Sequence, residues 1–286
     1  MLWEHSWEVL GLVPACLVVW WALRQAGRTG LNRCWQILYV WFRHLYRQEV
    51  KRKTAHWPQL SGRQFVVRYE PGTDPELAEM VLATAEEQFP AVKDFLGMRW
   101  EQPVLVLIHR DRTSLREGFG WGPEEAAMGV YWAGVVRILS PADWLPVEDP
   151  ARMARLFRRE GPVAHELAHL LIDYRTGGNY PRWLTEGLAQ LAEREAVGGR
   201  GAAMPSDSDS WYPLVRLDQE FDRLPDQELA YRQSMALAKY LEEVFGRPQI
   251  WRLLDALGEG ESLERALNRT LGIGLEDLES GFRRHS

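Results

Sequence analysis

Four short segments of the chain carry the apolar, β-branched and aromatic pattern of strands. Phe65-Val66-Val67-Arg68-Tyr69 is stopped by Pro71-Gly72, and Pro103-Val104-Leu105-Val106-Leu107-Ile108 is an unbroken apolar run that suits a strand buried on both faces. Met128 to Trp132 and Val135 to Leu139 follow, joined by the short turn Ala133-Gly134. Between the first two, Asp74-Pro75 opens a helix in which Leu77, Met80, Val81, Ala85 and Phe89 recur at helical spacing, with Pro90 as a kink or an end. From Pro150 onward the period is helical. Ala151 to Arg159 is one stretch, Gly161-Pro162 breaks it, and the next helix stops near Gly177-Gly178. Helices then follow over Arg182 to Val197, Ala230 to Val244, Gln249 to Ala256 and Ser262 to Leu271, with a last one from Leu275. A small sheet ahead of a helical C-terminal half makes an α+β domain.

The N-terminal region has a different pattern. Val9 to Leu23 is uncharged throughout, and with Trp7 and Glu8 it reaches the roughly 17 residues at the short limit of a membrane span. Glu4 and Glu8, with no Lys or Arg before the apolar run, argue against a signal peptide and for an uncleaved transmembrane anchor helix, with Trp3, Trp7, Trp20 and Trp21 in the interfacial belts. A buried helix of a soluble protein is the competing reading. Between Arg24 and Arg68 there are ten Lys or Arg and one acid, Glu49. The positive-inside rule therefore predicts a single-pass membrane protein, N-terminus outside, with the domain that follows on the cytoplasmic side; were Trp35 to Tyr46 to dip through as part of a hairpin, that domain would switch sides. Trp35 to Tyr46 reads as an amphipathic helix on the membrane surface, its basic residues meeting anionic lipid. His56 to Gly62 serves as a linker. The expected division is an anchor over residues 1–24, a basic amphipathic juxtamembrane segment and linker over 25–62, and one domain over 63–286.

Composition narrows the function. A chain of 286 residues, 46% hydrophobic, is long enough for a proper core, and a net charge of −6 speaks against nucleic-acid binding. The two cysteines, Cys16 and Cys34, both precede the expected domain, which therefore has no disulfide and no thiolate ligand.

The chemistry lies in His165-Glu166-Leu167-Ala168-His169. Residues four apart on a helix stand one turn above each other, so two imidazoles aim at one point, half of a zinc site. Glu166 lies about 100° round the helix, able to reach a metal-bound water as general base. A catalytic zinc takes three protein ligands, and Glu186 in Trp183-Leu184-Thr185-Glu186-Gly187-Leu188-Ala189 is the candidate third. The flanking residues Pro162, Val163, Ala164, Leu167, Ala168, Leu170, Leu171 and Ile172 are apolar or helix-starting, so the three polar side chains need partners that a metal supplies. The bland alternative is an internal helix whose histidines bond to backbone or to each other.

These two segments resemble the gluzincin metallopeptidases, and within them the bacterial peptidase MA-like domain proteins. Ala230-Tyr231-Arg232-Gln233-Ser234-Met235-Ala236-Leu237-Ala238-Lys239-Tyr240-Leu241, ending at Phe245-Gly246, looks like the helix that follows the metal helices in that family. The resemblance runs from about Gln64 to the C-terminus. It implies a zincin-like fold with a small mixed sheet, a metal helix and a helical C-terminal subdomain. It also implies Zn2+ held by His165, His169 and Glu186, with Glu166 activating water. Relatives use a Tyr or His beyond the third ligand for the oxyanion, which makes Tyr231 the candidate here. Gluzincins of the thermolysin type often place an acid four positions after the ligand Glu to orient a ligand His; Gln190 stands there in this chain, and its amide can accept an imidazole N–H without adding charge. In such proteins an edge strand beside the metal pairs with an extended peptide, a role for which Gly129 to Trp132 is the candidate, against an ordinary core strand. Met204 to Ser210 is either a lid or a surface loop. The function expected is a membrane-anchored zinc metallopeptidase acting on peptide or protein substrate. Its rivals are a non-catalytic zinc-binding membrane module, a zinc hydrolase of non-peptide substrates, and a scaffold without metal.

Overall fold

The computed structural model describes residues 32–117, 127–199 and 210–285. The elements, in chain order, are α1 (Asn32–Lys53), β1 (Gln59–Ser61), β2 (Phe65–Tyr69), α2 (Pro75–Phe95), β3 (Val104–His109), α3 (Arg112–Glu117), β4 (Gly129–Trp132), β5 (Val135–Leu139) and α4 (Pro141–Trp144). The helical half follows as α5 (Pro150–Glu160), α6 (Val163–Thr176), α7 (Arg182–Ala196), α8 (Leu214–Glu220), a 3-10 turn (Phe221–Arg223), α9 (Gln227–Phe245), α10 (Arg247–Gly258), α11 (Leu263–Leu271) and α12 (Leu275–His285).

Local chemistry explains most of the boundaries. Asp74 accepts the Glu76 N–H at 3.0 Å, Asp149 the Arg152 N–H at 3.0 Å and Asp226 the Leu229 N–H at 2.9 Å, so α2, α5 and α9 each start on a capping carboxylate. Helix α6 ends where Gly177 turns left-handed at φ +62°. Pro90 neither ends nor breaks α2, which continues to Phe95. The missing N–H is outweighed because Val92 and Phe95, in the turn beyond, are buried in the main core.

The sheet runs β1-β2-β3-β5-β4, with β2, β3 and β5 parallel and the two edge strands antiparallel to their neighbours. It is a small mixed sheet in a mostly helical chain. Strand β3 is buried at all six positions. Its Val104, Val106 and Ile108 join the main core with α2, α6 and α7, while Leu105 and Leu107 face the other side and meet Val50 of α1. The β4–β5 turn carries positive φ at both Ala133 (+43°) and Gly134 (+86°), the geometry that matches hairpin twist. Strand β4 lies at an edge, as the edge-strand reading requires, and β1 falls inside the segment expected to be a linker.

Three expectations about the N-terminal region change. The Val9 to Leu23 run lies outside the described residues, as does most of the Met204 to Ser210 segment. Among the described residues no helix is long and apolar enough to cross a membrane, which overturns the single-pass membrane localisation and the sidedness drawn from it. Helix α1 has 22 residues, but it carries Arg33, Arg43, Arg47, Lys51, Arg52, Lys53 and Glu49. Nor is lipid contact supported through this helix, several of whose cations bond to protein. Arg43 is buried against Asp173 at 2.8 Å, Arg47 donates to the Pro103 carbonyl at 2.6 Å, and Arg52 pairs with Glu49 at 2.8 Å. Gln36 donates to the carbonyls of Thr176 and Leu257, both at 2.8 Å, so α1 is fastened across the ends of α6 and α10.

Candidate metal centre

Helices α6 and α7 pack closely, and α7 in turn lies against α9. The α7–α9 contact depends on Gly187, because a Cβ there would stand 2.1 Å from the Ser234 carbonyl oxygen. The residue after Glu186 therefore sets how close α9 can come to α7. Strand β4 is held just as closely to α6: a Cβ on Gly129 would stand 2.7 Å from Pro162 and 2.9 Å from the Glu166 side chain.

This packing brings His165, His169 and Glu186 together. The two Nε2 atoms are 3.0 Å apart, and Glu186 Oε2 lies 3.4 Å from His165 Nε2 and 3.5 Å from His169 Nε2. Two ligands about 2.1 Å from a tetrahedral zinc are separated by roughly 3.4 Å, so the triangle has the size a metal requires. Glu186 is 2% exposed, and its Oε2 is a buried oxygen without a hydrogen-bond partner. A buried carboxylate oxygen left bare between two imidazole nitrogens fits a cation and has no comparable use otherwise. Among the described residues this is the one cluster of His, Cys, Asp and Glu with such convergence.

The outer nitrogens are also engaged. His169 Nδ1 meets Thr185 Oγ1 at 2.7 Å, and His165 Nδ1 meets Glu193 Oε2 at 3.3 Å. The Glu193 carboxylate can only accept, which places a proton on His165 Nδ1, and both contacts turn Nε2 inward. Glu186 Oε1, the oxygen on the far side, takes Arg182 Nη2 at 3.0 Å. Burial pushes the Glu186 carboxyl up, but His169, His165 and Arg182 outweigh it and hold it well below the usual carboxylate range. Burial likewise works against charge on His165, yet the Glu186 and Glu193 carboxylates raise it to about 10 while no metal competes for its lone pair.

Glu166 is 7% exposed. Burial raises its carboxyl above the ordinary value, opposed by the two imidazoles, and the Tyr131 backbone N–H of β4 donates to it. Catalytic bases are tuned this way, towards the pH at which they exchange protons. Tyr231 lies near the cluster, where Arg182 and Glu186 both act on its hydroxyl. Burial raises the Tyr231 hydroxyl and keeps it in the donor form, with Glu186 adding to the effect.

Gln190 does not take the position expected of it. Its amide donates to the carbonyls of Glu186 (3.2 Å) and Tyr231 (3.0 Å), tying α7 to α9 instead of orienting a ligand. The acid beside an imidazole of the cluster is Glu193, seven residues after Glu186 on the same helix face. Thr185, Arg182 and Glu193 were all missed as site residues. The signal was helical spacing from Glu186, at −4 for Arg182 and +7 for Glu193, and direct adjacency for Thr185.

No curated protein matches the chain. The family model of the Peptidase MA superfamily matches residues 84–285, a span that runs from within α2 to the end of α12 and includes every residue of the cluster. With most of the chain inside that match and a His-His-Glu cluster able to hold a metal, this protein belongs to the Peptidase MA superfamily.

Proposed function

We propose that the chain is a zinc-dependent metallopeptidase of the gluzincin type, with His165, His169 and Glu186 as ligands and Glu166 as general base. The observation that carries this reading is the bare Glu186 Oε2 facing the two Nε2 atoms, with Glu166 buried one residue along from His165. The choice of zinc follows from the donor set, two imidazole nitrogens and one carboxylate oxygen, which suits zinc and leaves a coordination position open.

Bound zinc would supply a Lewis acid that polarises the scissile carbonyl and lowers the pKa of the attacking water. Glu166, whose carboxyl burial raises, would take the proton from that water and pass it to the leaving amine. Tyr231, kept as a neutral donor, is proposed to stabilise the oxyanion. Strand β4 offers an edge to an extended peptide, and its Tyr131 N–H already lies against the base.

The test is zinc content and peptide-library cleavage with the full chain, wild type beside Glu166→Gln and His169→Ala. Expected are zinc in the wild type and Glu166→Gln, none in His169→Ala, and turnover in Glu166→Gln lower by about 10²–10⁴. Undiminished cleavage by zinc-loaded Glu166→Gln would remove the base from the mechanism, and a zinc-free wild type would remove the metal.

A further inference from the structure

The Glu186 carboxylate is asymmetric in its surroundings. One oxygen, Oε2, faces the imidazoles without a hydrogen bond, and the other, Oε1, is taken by Arg182 at 3.0 Å. A carboxylate beside a divalent cation can bind through one oxygen or chelate through both. Chelation here would require Oε1 to give up its ion pair with a guanidinium.

Local helix energetics do not explain why an arginine stands at this position. Arg182 is the first residue of α7, where the helix dipole disfavours a cation. Its i,i+4 partner lies C-terminal to it, the weaker order for such a pair. The tertiary structure compensates from three directions. Asp222 Oδ1 lies 3.7 Å from Arg182 Nε, the Tyr231 hydroxyl is near enough to favour its charge, and the guanidinium carbon sits 6.0 Å from the centre of the Phe221 ring. All three groups come from residues 221–231, the turn and first residues of the helix that packs on α7. The side chain is 48% exposed, yet it is held on several sides and aimed at a carboxylate that is 2% exposed.

We infer that Arg182 is a positioning residue that keeps Glu186 a one-oxygen ligand and links it to Tyr231, so that the metal retains an open coordination position. The inference rests on the metal reading proposed above. With Oε1 committed, the protein supplies three donor atoms, the number typical of catalytic zinc sites. Without the guanidinium, Oε1 is free to enter the coordination sphere or to turn the carboxylate away from the imidazoles.

The experiment loads the full chain, as wild type, Arg182→Met, Arg182→Gln and Arg182→Lys, with Co2+ as a spectroscopic substitute for zinc. Zinc affinity is measured by chelator competition, and urea unfolding of the metal-free proteins checks the fold. Arg182→Met keeps the aliphatic stem and removes the donors; it is expected to weaken zinc binding about 10- to 100-fold. Its Co2+ visible bands should also lose intensity as a fifth donor enters. Arg182→Lys should recover part of both, since one ammonium can still hold Oε1. A folded Arg182→Met with wild-type zinc affinity and an unchanged Co2+ spectrum overturns the inference and leaves the zinc site standing; Arg182→Gln carries the same decision if the methionine variant does not fold. A wild type that binds neither metal overturns the metal reading and this inference with it.

Discussion

Helix α6 carries two buried polar clusters, and they are built on opposite principles. At its start, His165 and His169 turn Nε2 atoms toward a carboxylate oxygen across 3.0–3.5 Å, three atoms that offer lone pairs to one point once the rings are neutral. One turn further on, Asp173 is fully buried, and Arg43 of α1 meets it through Nη1 at 2.8 Å while the Tyr131 hydroxyl of β4 donates to the same oxygen. Burial, reinforced by Asp173, pushes the Tyr39 and Tyr131 hydroxyls well up, so they remain donors throughout the ordinary pH range. The same spacing of four thus yields a cluster open to a cation and a cluster closed by one. Burial of polar groups does not by itself mark a functional site. The mark is convergence of several such groups on one point: Asp173 Oδ1 also lacks a hydrogen-bond partner, but among the described residues Asp173 joins no group that could hold a metal.

Breaking the closed cluster should have the largest effect on stability. Arg43→Ala strands the Asp173 carboxylate in the core and is expected to lower unfolding free energy by about 3–5 kcal/mol, read from urea denaturation. The double variant Arg43→Met with Asp173→Asn should lose much less than the sum of the singles. Additive losses would show that the pair is not the unit described here.

Altering the orienting partners of the open cluster should act on metal and not on fold. Thr185→Val and Glu193→Gln are each expected to weaken zinc binding about 10- to 100-fold, or about 1.4–2.7 kcal/mol, with urea midpoints of the metal-free protein little changed. Equal zinc affinity in Glu193→Gln would mean that the 3.3 Å contact does not orient His165.

A third buried imidazole sharpens the contrast. His109 sits behind the sheet, 4% exposed, with Nε2 3.2 Å from Arg137 Nη1. Burial first, and Arg137 second, lower its pKa to about 3. The unfolded chain then binds a proton between roughly pH 6.5 and 3 that the folded chain refuses, so stability falls as pH drops through that window. The contribution is about 1.4 kcal/mol per pH unit, and replacing His109 by Phe should flatten that part of the urea-midpoint profile. An unchanged slope would place the acid sensitivity elsewhere.

The parts legible in the sequence were those set by local geometry. His165, Glu166 and His169 share one helix, so their spacing alone fixes their relation, and the four main strands and the capped helices follow from period and turn chemistry within a few residues. Glu186 could be named because its motif is a second local pattern. The tertiary structure decided whatever depended on partners far along the chain. It chose Glu193 over Gln190 as the acid beside a ligand, since the crossing of α6 and α7 determines which turn of α7 reaches His165. It made Arg43 a core residue bonded 130 positions away, in a segment whose basic, aromatic composition suggested a lipid surface. It carried α2 through Pro90 and put β4 at the sheet edge. Periodicity reports which side of an element is apolar, whereas the identity of what covers that side is settled only when distant segments compete for it.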